Sequence, residues 1–149
     1  MPDELVFPMG QYQARIPSDR WFSDNHLWLK RIDDAYRVGF TAYSVRLLQD
    51  VYFLEWTVEA GSPVERRQEI GEIESSKALS TLYAPAAGRI VRFNDELLED
   101  PSLINADNYG RGWLFELRTE ESFLTALEYV ELLKSIWPET QRLIKGQLT

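Results

Sequence analysis

Short runs of β-branched and aromatic residues, separated by turn signals about every ten residues, most constrain what this chain can fold into. The turn signals include Asp33-Asp34, the Ala-Gly-Ser-Pro run at 60–63 and the Ala-Ala-Gly run at 86–88. Such spacing favours a small barrel or sandwich, so the chain is predicted to be mainly β, in the α+β class. The predicted strands are residues 26–32, 36–40, 50–58, 70–74, 81–84, 89–93 and 112–117.

Helical segments are predicted around this β core. Residues 41–48 have apolar residues at helical spacing and begin with Thr41, a suitable N-cap. Residues 101–106 indicate a short helical turn. Near the C-terminus the pattern predicts an amphipathic helix packed on the β core, which Pro138 should end or kink before a further piece at 139–145. Its apolar stripe comprises Phe123, Leu127, Val130, Leu133 and Trp137.

The chain has 149 residues, a length that fits one domain with a buried core. We expect residues 1–25 to form an irregular N-terminal wrap, because prolines are scattered through them. Residues 26–118 should form the β core, and residues 119–149 a C-terminal helical region. The expected state is a single-domain monomer.

Composition excludes several classes of function. The chain has no cysteine and one histidine, His26, so thiolate catalysis, cysteine metal sites and multi-histidine metal sites are excluded. A net charge of −8 argues against nucleic acid as a partner. No apolar run approaches the roughly 20 residues that cross a membrane, and no signal peptide is visible, so we expect a cytoplasmic protein. Any redox or group-transfer chemistry must therefore come from an attached group.

One lysine has a distinctive setting. Lys77 lies between two strand-like runs and is flanked by small polar residues, which predicts an exposed amine at the tip of a hairpin. The acids Glu72 and Glu74 precede it and could mark it for a modifying enzyme. The alternative is a plain surface lysine that only contributes to solubility.

Several motifs resemble those of one known family. The segment Glu74-Ser75-Ser76-Lys77-Ala78 resembles the Glu-Ser-Val-Lys-Ala lipoylation motif of the glycine cleavage system H protein. Residues 83–88 resemble the family's Tyr-x-Pro-Val-Ser-Gly, and residues 101–113 its Pro-x-x-Val-Asn-x-Asp-Pro-Tyr-Gly-x-Gly-Trp. Residues 26–28 resemble His-Glu-Trp, and residues 38–43 resemble Val-Gly-Ile-Thr-Asp-Tyr. The resemblance covers about residues 16 to 135.

This resemblance implies a lipoyl-domain-like barrel-sandwich hybrid with added short helices. It also implies that Lys77 carries lipoic acid in amide linkage, with Glu74, Ser75, Ser76 and Ala78 forming the surrounding attachment motif. The protein would then be a non-catalytic carrier whose dithiolane ring supplies the sulfur chemistry. The partners implied are a lipoate ligase or lipoyl transferase, a flavin dihydrolipoyl dehydrogenase, and client enzymes.

The chain departs from the family pattern at several positions. Ala42 replaces an aspartate, Gln49 a glycine, Trp56 a leucine and Asn108 a proline, and residues 6–12 form an extra N-terminal lead. Glutamine should resist the positive φ that a glycine permits at such a position. Together the departures suggest a carrier that kept its lipoyl group and changed its clients.

Four functions follow from these observations. Residues 43–56 look more like the lipoate-binding proteins that serve a heterodisulfide-reductase-like complex in sulfur oxidation, and this is our first hypothesis. The second is an authentic glycine cleavage H protein whose arm carries the aminomethyl group. The third is a lipoyl donor, and the fourth an interaction module with an unmodified Lys77. His26 is interpreted as a structural imidazole near a strand end, the alternative being gating near the lipoyl ring.

Overall fold

The computed structural model of the protein describes residues 3–148, which form a mainly β structure. This confirms the predicted fold class. The strands are β1 (Glu4–Met9), β2 (Tyr12–Pro17), β3 (Trp21–Phe22), β4 (Leu27–Ile32), β5 (Ala35–Phe40), β6 (Val51–Trp56), β7 (Pro63–Val64), β8 (Glu69–Ser75), β9 (Leu79–Tyr83), β10 (Gly88–Phe93) and β11 (Phe115–Arg118). The helices are α1 (Ala42–Leu48), α2 (Glu96–Glu99), α3 (Leu103–Ala106) and α4 (Ala126–Leu148).

Two sheets share the principal core. One has six strands in the order β3-β4-β5-β11-β10-β7, and the other has three in the order β6-β8-β9. Both contribute fully buried side chains to one apolar cluster, for example Leu29 and Val38 from the large sheet and Ile73 from the small one. Burial of this cluster is the main force that holds the two sheets together.

Most predicted elements are present, with adjusted ends. The strand predicted at 50–58 is shorter, and the one predicted at 112–117 begins only at Phe115 because residues 108–112 form turns. Helix α1 has the predicted N-cap, where the Thr41 hydroxyl accepts a hydrogen bond from the Ser44 amide at 3.3 Å. The short elements β3, β7 and α2 were not predicted.

The prediction of an irregular N-terminal wrap was wrong. Strands β1 and β2 form an antiparallel hairpin through a turn at Gly10, whose φ is 65°. Pro8 is one of the scattered prolines behind that prediction, but an edge strand tolerates proline because its nitrogen need not bond a neighbour. The alternation of Phe7 and Met9 with their neighbours was the missed signal, since both side chains are buried.

The C-terminal helix also differs from its prediction. Helix α4 begins at Ala126, after a reciprocal cap in which Thr125 and Glu128 each bond the other's amide, and it continues through Pro138. Leu127 is 61% exposed, so it is outside the buried stripe. The helix contacts β1 most extensively, so it packs chiefly on the N-terminal hairpin rather than on the β core. The helix and the hairpin share a second apolar cluster, separate from the principal core. The buried helix residues in it are Ala126, Tyr129, Val130 and Leu133.

Within residues 3–148, no helix is both long enough and apolar enough to span a bilayer.

His26 joins α4 to the large sheet. Its Nδ1 lies 2.9 Å from the hydroxyl of Tyr129, which is also 2.9 Å from the hydroxyl of Thr41. The ring also lies 4.8 Å from that of Tyr43. Burial lowers the pKa of His26 to about 4, although the nearby Asp24 carboxylate acts in the opposite direction. These contacts favour the structural interpretation of this imidazole.

This lowered pKa predicts a specific loss of stability in acid. The unfolded chain protonates His26 near pH 6.5 and the folded chain near pH 4, so the stability present above pH 6.5 falls as the pH drops between those values. The expected loss is about 3 kcal/mol over that range. Urea unfolding of the wild type and His26→Asn across this range measures it, because asparagine tolerates the φ of 69° and cannot titrate. An equal pH dependence in both proteins would contradict the assignment.

Candidate functional site

Lys77 lies in the turn between β8 and β9, as predicted, and its side chain is exposed. The turn is held by Ser75, which is only 4% exposed. Its hydroxyl donates to the Ala78 carbonyl at 3.3 Å and accepts from the amides of Lys77 and Ala78 at 3.4 and 3.3 Å. A buried serine thus fixes the backbone of the turn from within.

The neighbouring serine fixes the turn from outside. The Ser76 amide donates to the Asp50 carbonyl at 2.9 Å, and the Ser76 hydroxyl accepts from the Asp50 amide at 3.2 Å. The hairpin tip is therefore joined to the segment that leads into β6. Lys77 is displayed on a backbone held at two points rather than on a free loop.

The other predicted motif residues lie around this turn. Glu74 is half-buried at the end of β8, on the side of the sheet that faces away from the core, and Ala78 is exposed beside Lys77. Because alternate residues of a strand point to opposite faces, Ile73 is buried while Glu72 and Glu74 point outward. The structure brings all five motif residues together at one end of the small sheet.

An uncharged groove runs beside β9, and sequence reasoning missed it. It lies between this strand and α1, with Ser80 and Leu82 on one wall and Ser44, Leu47 and Leu48 on the other. Ser80 is three residues from Lys77, so the two are separated by at most roughly 10 Å of chain. The groove's apolar and hydroxyl lining fits a long uncharged arm attached at Lys77. Helix α1 and β9 are far apart in sequence, so no local pattern could have revealed the groove.

Gln49, which replaces a glycine of the family pattern, has an unexpected backbone geometry. Gln49 adopts a φ of 63°, so the expectation that it resists a positive φ was wrong. Its amide donates to the Val45 carbonyl at 2.9 Å and its side-chain amide to the Arg46 carbonyl at 2.6 Å. Asn105 holds it from the other side, donating to the Gln49 carbonyl and accepting from the Val51 amide at 2.8 Å. These bonds offset the strain of the left-handed backbone.

Two other departures are accommodated by packing. The Asn108 carbonyl accepts from the Trp28 indole at 2.9 Å, and its side chain donates to the Phe40 carbonyl at 3.0 Å, a bond that the family's proline lacks. Trp56 stacks on Phe93 with ring centroids 4.4 Å apart. Neither residue lies in the turn that carries Lys77.

Comparisons with known proteins find relatives over most of the chain. Residues 20–136 match the family model described as glycine cleavage H-protein. A probable glycine cleavage system H protein of Natronomonas pharaonis is 42% identical over 118 residues, covering 76% of this chain and 93% of the relative. The glycine cleavage system H protein of Methylacidiphilum infernorum is 40% identical over 124 residues, covering 80% and 96%.

A solved structure has a similar fold. The crystal structure of a glycine cleavage system H protein from Mycobacterium marinum superposes with a TM-score of 0.71 at 37% identity, covering 78% of this chain and 97% of that one. This match confirms the predicted lipoyl-domain-like barrel-sandwich fold. Proteins of this family carry lipoic acid covalently on a lysine and have no catalytic activity of their own. From the matched residues and these relatives, the chain belongs to the glycine cleavage H-protein family.

Proposed function

We propose that this protein is the lipoyl carrier of a glycine cleavage system and that Lys77 is the residue that carries lipoic acid. The observation that carries the proposal is the position of Lys77, exposed in a hairpin turn that Ser75 and Ser76 hold in place. An enzyme that modifies a lysine must reach its Nζ atom, and a fixed exposed turn presents that atom at low entropic cost.

The other lysines have different surroundings. Lys30 lies on β4 and pairs with Asp19 at 3.2 Å. Lys134 lies on α4 and pairs with Glu131 at 3.3 Å. Lys145 lies outside the side chains that the structure describes. Of the described lysines, Lys77 is the one without an ion pair, and it is the one inside the attachment motif.

The residues around Lys77 have separable roles in this proposal. Lys77 provides the amine for the amide bond, and amide formation removes its charge. Ser75 and Ser76 position the turn, and the groove beside β9 offers the attached arm an uncharged surface. The lipoyl group supplies the disulfide and dithiol chemistry when bound, so the chain holds, presents and shelters it.

The family relationship guides the choice of pathway. The relatives described above are named glycine cleavage H proteins, so the glycine cleavage alternative fits better than our first hypothesis, a sulfur-oxidation carrier. Nothing in those relatives supports a heterodisulfide-reductase-like partner. We propose glycine cleavage enzymes, a flavin dihydrolipoyl dehydrogenase, and a lipoate ligase or lipoyl transferase as the partners.

We also propose that the three predicted regions act as one domain. Hairpin residues such as Phe7 and helix residues such as Leu133 share an apolar cluster with Trp28 and Tyr43 of the central region. The N-terminal hairpin and α4 therefore pack on each other and on the central region rather than forming units of their own.

Replacing Lys77 tests the attachment site. A Lys77→Arg protein keeps the positive charge but lacks the primary amine, so we expect no lipoylation and an unfolding free energy unchanged within about 0.5 kcal/mol. Lys30→Arg and Lys134→Arg are the matched controls and should be lipoylated like the wild type. Incubation with a lipoate ligase, lipoic acid and ATP, followed by peptide mass spectrometry, measures the result. Lipoylation of Lys77→Arg would contradict the assignment.

Replacing Ser75 tests how the turn is held. Ser75→Ala removes the acceptor for two amides of the turn, so we expect faster hydrogen exchange at residues 77–78 and a stability loss of about 1 kcal/mol. Ser76→Ala, at an exposed position, should cost less. Hydrogen exchange and urea unfolding measure the two effects. Unchanged exchange at 77–78 in Ser75→Ala would show that the hydroxyl does not hold the turn.

A further inference from the structure

The outward side of the small sheet exposes large apolar side chains beside Lys77. Phe53, Glu74 and Leu79 are cross-strand partners in one row, so their side chains share this side. Phe53 is 44% exposed and Leu79 is 64% exposed. An irregularity in the pairing of β6 between Val51 and Phe53 leaves Tyr52 exposed as well, at 60%. Exposed large side chains grouped in this way are typical of interaction surfaces.

The next pair of cross-strand partners on the same side consists of two glutamates. Glu55 lies directly opposite Glu72, and both are exposed. Like charges at directly opposite positions destabilise a sheet. The described ion pairs of the chain include neither of these carboxylates. We call this side, formed by Tyr52, Phe53, Glu55, Glu72, Glu74 and Leu79, the outward face.

The large sheet, by contrast, pairs the carboxylate on its outer side with cations. Glu116 is buried on its outer side and bonds Arg37 at 2.9 Å and Arg92 at 2.9 Å. Both arginines also lie over the ring of Trp113, at 4.4 and 5.4 Å from its centroid. The fold can therefore neutralise a sheet carboxylate, and the outward face of the small sheet leaves its acids available to an external cation.

Lys77 is the cation at the edge of this face. Glu55, Glu72 and Glu74 carry negative charge on the face, and Lys77 lies at its end. A protein that binds at Lys77 can contact this surface, because Glu74 and Leu79 flank the turn that carries the lysine. Exposed apolar side chains beside uncompensated carboxylates complement a partner that presents basic residues around an apolar hollow.

We propose that the outward face is the docking surface for the lipoate ligase, through a basic ligase surface whose apolar hollow receives Leu79 and Phe53. This inference rests on the proposed function, because a ligase acts here only if Lys77 is its target. The ligase joins the carboxyl carbon of lipoate to Nζ, and ATP supplies the activation while AMP and pyrophosphate leave. The outward face contributes affinity and orientation and takes no part in the bond change.

Two variants separate the apolar and acidic contributions. Leu79→Ser should lower kcat/KM for lipoylation about tenfold, mainly through KM, since a buried apolar anchor carries much of the energy of an interface. The double variant Glu55→Gln with Glu72→Gln should lower it several-fold at low salt. The difference between this double variant and the wild type should vanish at about 1 M salt, where the electrostatic screening length is only about 3 Å. The assay uses the full-length unlipoylated chain with purified lipoate ligase, lipoic acid and ATP.

Matched controls lie away from the outward face. Leu127→Ser removes a leucine of similar exposure, 61% against 64%, on α4. Asp33→Asn with Glu120→Gln removes two exposed carboxylates beside the large sheet. Both controls should be lipoylated at the wild-type rate. Thermal unfolding should show no loss of stability in the Glu55 and Glu72 double variant, because it relieves repulsion.

The outcomes distinguish this inference from the proposed function. Wild-type kcat/KM in both outward-face variants, with Lys77 still modified, would overturn the docking proposal and leave the carrier function intact. Absence of lipoylation in the wild type would overturn the proposed function itself. A wild-type dimer in solution that the Leu79→Ser substitution converts to monomers would assign the outward face to a second copy of this chain. A loss confined to oxidation of the dihydrolipoyl arm by dihydrolipoyl dehydrogenase would assign the face to a client, and either result would overturn the ligase proposal.

Discussion

Burial of one side of strand β8 decides where Lys77 points. Ile73 faces the core between the two sheets, and Ser75 continues that buried side into the turn. Because side chains alternate along a strand, a shift of one residue in register would expose Ile73 and bury Glu72 and Glu74. The apolar core therefore fixes the register, the register fixes the turn, and the turn presents the lysine.

The sequence predicted the two strands and the turn around Lys77. Alternating side chains and turn residues are local signals, and in the region around Lys77 they agree with the tertiary packing. The N-terminal hairpin was not predicted because scattered prolines indicate irregular structure, whereas the sheet tolerates Pro8 at an edge position that only the fold defines. Gln49 was misjudged because its positive φ depends on Asn105, a residue distant in sequence. The groove beside β9 likewise depends on two elements brought together by the fold.

The two sheets bury their apolar sides against each other and differ on their outer sides. The large sheet surrounds Glu116 with two arginines, whose hydrogen bonds hold the pKa of that carboxyl below its usual range. The small sheet leaves Glu55 opposite Glu72 without such partners. The large sheet thus pairs the carboxylate on its outer side, whereas the small sheet leaves like charges opposite each other, next to the lysine that we propose as the attachment site. Such departures from local rules of sheet stability are expected where a surface serves a partner.

The most direct test of this account is intact-protein and peptide mass spectrometry of the protein purified from its native host. The account predicts a lipoyl mass increment on the peptide that contains Lys77, and none on the peptides that contain Lys30 or Lys134. An unmodified Lys77, or a lipoyl group on another lysine, would contradict it.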